Sequence, residues 1–246
     1  MALYPLAYAG GEFPAANLTL MPALITSYEQ GLRWKDAPIG KELVRLLDER
    51  NVKIVTWVWQ AGGIASKAKP LVAPDDAKGM KVRGGSREVD LMTKAAGAAV
   101  TNVASNEIYS AMQSGVLDAA VTSSTSLISF RLHETSDYLT AGRKHSFWFM
   151  FEPLLMSKKA YDSLTPAQQK IVMDVGASLE KFGMEAAKID DERVVEVYTK
   201  AGRKVVDMDQ AAFDKWRAVA KASAWKDFEE KVKDGKALFE MAVAVK

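Results

Sequence analysis

The sequence predicts an α/β protein built as one large domain or two small ones, and three observations carry that reading. Between residues 78 and 126, apolar strand-like runs alternate with helix-like segments in repeated β-α-β order, which indicates a parallel sheet. Residues 53–60, ending at Ala61-Gly62-Gly63, and the apolar run 147–156 are placed to carry the chain from one domain to another and back. A helix opening at Thr165-Pro166 runs to about Gly202, long enough to brace two domains.

Composition narrows the function classes. With 246 residues and 48% apolar content, the chain can bury a sizeable core. Its 33 basic and 31 acidic residues leave a net charge of +2, which provides no broad field for nucleic acid or anionic lipid. The absence of cysteine removes disulfides and thiolate nucleophiles and suits an oxidising compartment, and His133 and His145 alone give a zinc site almost no ligands. No apolar run approaches the ~20 residues needed to span a bilayer, so no direct membrane insertion is expected. The opening MALYPLAYAGGEFP has no basic start and is broken by proline and glycine, so it does not read as a signal peptide and by itself suggests cytoplasm.

Taken in order, residues 2–9 read as a buried strand that begins abruptly, 10–14 as a turn and 22–28 as the opening of a short helix. Residues 39–50 carry Leu43, Leu46 and Leu47 at helical spacing. The stretch KIVTWVWQ is β-branched and aromatic, a strand covered on both faces; Trp57 and Trp59 share one face, as core or, for one of them, as the wall of a ligand cleft. Gly62-Gly63 is expected to break that strand at a hinge or domain crossing.

The stretch KGMKVRGGSREVD organises the middle of the chain. Residues 80–83 alternate as a short strand, Gly84-Gly85 permits a sharp turn, Ser86 is a good N-cap, and 87–96 read as a helix with Glu88 in its first turn. Arg83 thus stands at the carboxyl end of a strand beside a helix start, where open α/β sheets gather ligands, and its guanidinium suits a small organic anion. A structural ion pair explains the same placement, and the motif alone leaves both open. Further on, 98–103 read as a strand, 106–114 as a helix and 117–122 as a strand ending in TSSTS, whose hydroxyls either donate to an anion or cap the next helix. Residues 137–141 and 147–156 are further strands, with Trp148 near the entry of the second. The long helix places Ile171, Val175, Leu179, Phe182, Ala186 and Ile189 at alternating spacing, while Asp190-Asp191-Glu192 reads as a solvated face rather than a metal site. A strand at 204–206 and helices at 210–222 and 224–243 finish the chain.

The catalytic motifs are missing. There is no phosphate-cradling loop with lysine, no nucleophile elbow and no histidine pair at ligand spacing, so neither cofactor nor metal is expected.

Three ordered stretches, GMKVRGGSREVDLMTKAAGA, SNEIYSAMQSGVLDAA and FEPLLMSKKAYDSLTPAQQKIV, resemble the solute-binding proteins of tripartite ATP-independent periplasmic (TRAP) transporters of the DctP type. The resemblance implies a two-lobed, periplasmic-binding-protein-like fold of mixed sheets flanked by helices, with a long helix bracing both lobes. Residues 1–62 and 149–188 form the first lobe, N-terminally incomplete, and 63–148 and 189–246 the second. It also implies that Arg83 clamps a substrate carboxylate from a side chain facing a wet, open cleft when empty. Two departures affect the pocket: Thr122 and its serine neighbours stand where many members carry an amide, and Ser105-Asn106 where many carry phenylalanine. The candidate substrate contacts are Arg83, Ser86, Trp57, Ser105, Asn106, Thr122, Ser123 and Trp148. The family normally begins with a secretion signal and a leading β-α-β segment, so Met1 resembles an internal methionine of a longer, periplasmic protein. The expected function is capture of a small organic acid for delivery to membrane permease subunits, without catalysis. An α/β enzyme acting on a carboxylate is the alternative. The effector domain of a transcription regulator would require a DNA-reading helix pair and a basic face, which the chain does not show.

Overall fold

A computed structural model describes residues 1–246. The chain opens with β1 (Ala2–Leu3), exposed on both residues, and then coils through 3-10 turns at Leu6–Ala9 and Pro14–Leu20. The buried strand expected over 2–9 is not formed. Pro5 has no N–H to give a ladder, and Leu6 and Ala7 enter the core from a turn instead. The helix expected from Pro22 starts only at α1 (Tyr28–Arg33), where the Ser27 hydroxyl accepts from the Gln30 N–H. Trp34 follows, fully buried and edge-on to Trp59 at 5.4 Å. α2 (Pro38–Asp48) begins on proline and turns Ile39, Leu43 and Leu47 inward.

β2 (Val52–Thr56) and β3 (Trp59–Ser66) come next, and β3 runs straight through the glycines expected to break it. Residues Trp59, Gln60 and Ala61 pair with one strand, β8 below, while Gly62 to Ser66 pair with two others, so the strand changes partners at the glycines without ending. A Cβ on Gly62 would lie 2.4 Å from the Trp148 ring and 2.5 Å from the Thr122 carbonyl oxygen. Close approach of neighbouring groups, not a turn, is what these glycines supply.

The β-α-β reading of the middle of the chain holds. β4 (Lys81–Arg83), α3 (Arg87–Ala95), β5 (Ala99–Val100), α4 (Ile108–Gln113) and β6 (Ala119–Ser123) follow in order, with β4 parallel to both β5 and β6. α5 (Ser124–Ser129) and β7 (Tyr138–Ala141) complete this part. The single strand expected over 147–156 is two, β8 (Phe149–Phe151) and β9 (Leu154–Ser157), separated at Glu152-Pro153. β8 joins β3 in a seven-stranded mixed sheet, whereas β9 lies antiparallel between β1 and β2 in a three-stranded one.

After α6 (Lys158–Asp162), α7 (Pro166–Lys200) runs for 35 residues from a Thr165–Gln168 capping box. It lies first against β2 and β3, then against α5 and β7, and so spans both sheets. Its packing face is made of small and sparse residues: a Cβ on Gly176 would stand 2.1 Å from the Val55 carbonyl oxygen, and Ala187, Asp191, Val194 and Tyr198 are buried. The apolar stripe of Ile171, Val175, Leu179, Phe182 and Ile189 faces outward. Asp191 corrects the solvated-face reading of the acidic triplet, since it is buried and accepts hydrogen bonds from Tyr28 Oη at 2.6 Å and Ser124 Oγ at 2.5 Å.

β10 (Lys204–Asp207) pairs parallel with β7. The two terminal helices expected are present with their break moved: α8 (Gln210–Ala220) continues through a π-helical turn at Lys221–Trp225 into α9 (Lys226–Lys231), and the chain breaks only at 232–234, before α10 (Gly235–Val243). α10 returns to pack on α2, Gln30 Nε2 donates to the Val245 carbonyl, and Trp225 Nε1 donates to that of Pro22. The tail assigned by sequence to the second lobe therefore ends against the N-terminal part of the chain.

Candidate functional site

Arg83 closes β4, and Gly85, at φ +89°, turns the chain away from it; a Cβ there would meet Arg83 Nη1 at 2.7 Å. The residue is only 4% exposed. Nη1 donates to the Val121 carbonyl at 3.0 Å, Nε to that of Val103 at 3.3 Å, and Nη2 to Tyr8 Oη and Ser105 Oγ, both at 3.3 Å. All four acceptors are neutral, so a buried cation is held in place with no carboxylate hydrogen-bonded to it. Buried charges are normally paired.

A cavity of about 760 Å³ opens beside this side chain, between Tyr8 and Asn17 of the N-terminal segment and Ser86, Arg87, Asp90, Lys94, Asn102 and Ser105 on the other side. A second, of about 250 Å³, is lined by Tyr8, Gln60, Ser105, Thr122, Ser123, Thr125, Trp148 and Glu152, among others. Tyr8 and Ser105 border both cavities, and their hydroxyls are 2.8 Å apart. The two spaces therefore adjoin along the Tyr8–Ser105 contact, to which Arg83 Nη2 donates, and together they make up the cleft; Arg83 itself lines the larger one.

Charge in the cleft is uneven. Burial pushes the Asp90 carboxyl up to about 6, against the Gly84 N–H it accepts at 2.9 Å and the field of Arg83. Burial also raises Glu152; outside the cavity lining, it pushes the fully buried Glu88, on the first turn of α3, up to about 7 although Arg87 pairs with it at 2.7 Å.

Six of the eight sequence-predicted contacts line the cleft. Arg83, Ser86 and Ser105 border the larger cavity; Ser105, Thr122, Ser123 and Trp148 border the smaller. Several of these are already engaged. The Ser86 hydroxyl accepts from the Val89 N–H and donates to the Leu20 carbonyl, Ser123 Oγ caps α5 by accepting from Ser126 N–H, and Trp148 Nε1 donates to the Gly84 carbonyl at 3.1 Å. The other two stand apart. Trp57 lies in the two-residue break between β2 and β3, buried in the core with its ring 4.7 Å from that of Phe151, so the strand expected over 53–60 is interrupted there, and Asn106 projects to solvent from the turn before α4, leaving Asn102 on the cavity wall. Sequence reasoning missed Tyr8, Asn17, Asp90, Gln60 and Glu152. For the last two a signal existed: each is the lone polar side chain in an otherwise apolar strand segment, WVWQAGG and FWFMFEPLLM.

The profile of the bacterial extracellular solute-binding protein family 7, DctP, matches residues 1–231. The chain belongs to this family. A solute-binding protein from Albidiferax ferrireducens is 57% identical over 228 residues, covering 93% of this chain and 68% of the relative. Another, from Verminephrobacter eiseniae, is 27% identical and is spanned over 60% of its length. Among solved structures, a TRAP periplasmic solute-binding protein from Rhodoferax ferrireducens with bound malonate superposes with a TM-score of 0.97 at 54% identity, covering 99% of this chain and 77% of that one. These matches establish the two-lobed fold of TRAP solute-binding proteins for this DctP-family chain, and no helix in it is long and apolar enough to cross a membrane.

Proposed function

We propose that the chain is the capture component of a TRAP transporter: it takes up a small organic acid in the cleft between its lobes, with Arg83 on the carboxylate, and delivers it to permease subunits in the membrane. The observation that carries this reading is the buried, unpaired guanidinium of Arg83 beside a 760 Å³ cavity. A structural ion pair would need an acidic acceptor, and all four acceptors are neutral. A carboxylate entering the cleft supplies the missing charge through short, parallel hydrogen bonds. Malonate bound by the Rhodoferax relative supports an acidic ligand, and the periplasmic description of that relative supports a place of action outside the cytoplasm.

The test is isothermal titration with a panel of small organic acids, followed by recovery of the ligand. Saturable one-to-one binding with the acid returned unchanged is the expected result. Conversion of the acid to product would replace this reading with an α/β enzyme acting on a carboxylate.

A further inference from the structure

A carboxylate held at Arg83 leaves the one charged group that lines the smaller cavity without a role. Glu152, where the chain passes from β8 to β9, lines the smaller cavity together with Gln60 of β3. Its Oε2 accepts from Gln60 Nε2 at 2.6 Å, and that is the one hydrogen bond its carboxylate makes. Burial raises its pKa with no cation acting against the shift, so this is a half-buried anion facing a cavity without a counter-charge. The contact also orients the Gln60 amide: its N–H points to Glu152, and its oxygen is the end left free. The pair therefore offers acceptors to the cleft. Across the same cavity stand the hydroxyls of Thr122, Ser123 and Thr125.

We infer that Gln60 and Glu152 form a second recognition point, at the far side of the Tyr8–Ser105 contact from the larger cavity, that selects an organic acid bearing hydroxyl groups over a plain dicarboxylate. A ligand hydroxyl donates to Glu152 in a charge-assisted bond and can exchange further bonds with the Thr122 side. A second carboxylate in that place meets the half-buried negative charge of Glu152 and has no proton to give either acceptor. Opposite poles in one cleft thus read the two ends of the ligand differently: Arg83 takes the acid, and Gln60–Glu152 takes the donor. This inference rests on the carboxylate reading of Arg83 and refines it.

The experiment titrates the chain, wild type and variant, with pairs of acids matched in carbon number: glycerate against malonate, and threonate or erythronate against succinate. Malonate is the stringent competitor, since the Rhodoferax relative holds it. Wild type is expected to bind at least one hydroxy acid about tenfold or more tighter than its matched dicarboxylate. Glu152→Gln should lower hydroxy-acid affinity by roughly 10- to 100-fold and improve the dicarboxylate, erasing or inverting the preference. Gln60→Ala, which removes the neighbouring acceptor without touching the charge, should shift the ratio in the same direction and serves if Glu152→Gln melts early. Equal affinity for the two members of each pair in wild type, or a ratio unchanged in both variants, overturns the inference while leaving the carboxylate reading intact if Arg83→Ala still abolishes binding. Failure of every acid to bind overturns both.

Discussion

Replacing Arg83 separates a ligand clamp from a structural ion pair by two measurements on the same variants. Two unit charges about 4 Å apart interact by roughly 4 kcal/mol at an effective dielectric near 20, and truncating one partner of a buried, hydrogen-bonded pair costs about 3 to 5 kcal/mol. Arg83 is 4% exposed, so the cleft around it falls in that regime. Arg83→Ala should therefore weaken binding of an organic acid by roughly two to more than three orders of magnitude. Lysine keeps charge and loses the planar fork, so Arg83→Lys should recover only part of it. The empty protein will also be affected, contrary to what an arginine facing a wet cleft would suggest. Its guanidinium donates to the Val103 and Val121 carbonyls, and alanine leaves both without that donor. The loss is offset by removal of an unpaired buried cation, which brings the expected net destabilisation to about 1 to 3 kcal/mol. Arg83→Gln, neutral but still able to donate, should regain stability without regaining affinity. Calorimetric titration and thermal melts of the three variants decide the matter: near-normal affinity in whatever remains folded after Arg83→Ala would refute the clamp.

Asp90, raised to about 6, holds its proton more tightly in the folded chain than in the unfolded one, so its contribution to stability falls as pH rises from about 4 through 6 and stays lost above. Asp90→Asn should accordingly raise the melting temperature at pH 8 and leave it nearly unchanged at pH 4; an equal effect at both would refute the assignment. Because ionised Asp90 shares the cavity with Arg83, affinity for an organic acid should increase as pH falls from 8 to 5.5, and titrations of Asp90→Asn should lack that trend. Gly85→Ala combines a positive φ with a Cβ 2.7 Å from Arg83 Nη1, so it should cost about 1 to 3 kcal/mol of stability and weaken binding by displacing the guanidinium; unchanged affinity would show that the fork has room to shift. Ligand should favour the closed arrangement of the lobes, visible as compaction in small-angle scattering, and identical curves with and without saturating ligand would count against closure.

Local signals in the sequence were reliable where the physics is local. Ser86 caps α3 and Thr165 opens α7 as their side chains and positions require, and the β-α-β order of residues 80 to 123 follows from alternation alone. Long-range contacts behave otherwise. The apolar stripe of α7 was the natural choice for its buried face, yet the helix approaches the sheet so closely at Gly176 that only a residue without a side chain fits, and the stripe is left outside. Periodicity reports where large apolar groups recur; it does not register a contact made by glycine and alanine. Gly62 shows the same gap, because a glycine that lets Trp148 and the Thr122 carbonyl press on a continuous strand has the same letter as one that breaks it.

The cleft follows the same division. Arg83 was legible because strand end, glycine pair and helix cap lie within a few residues of it. Tyr8 was not, and Gln60 and Glu152 carried only the signal of a lone polar side chain in an apolar strand, since each reaches the cleft from a segment whose position depends on the whole fold: a 3-10 turn that Pro5 keeps out of the sheet, the strand that changes partners at Gly62, and the break at Glu152-Pro153. What the structure adds to the arginine is the chemistry of its surroundings. Two backbone carbonyls and two hydroxyls hold the fork in one orientation without cancelling its charge, which a carboxylate partner within the protein would have done. A cation fixed in this way is oriented before the ligand arrives, so less of the binding free energy is lost to ordering the side chain when the acid enters.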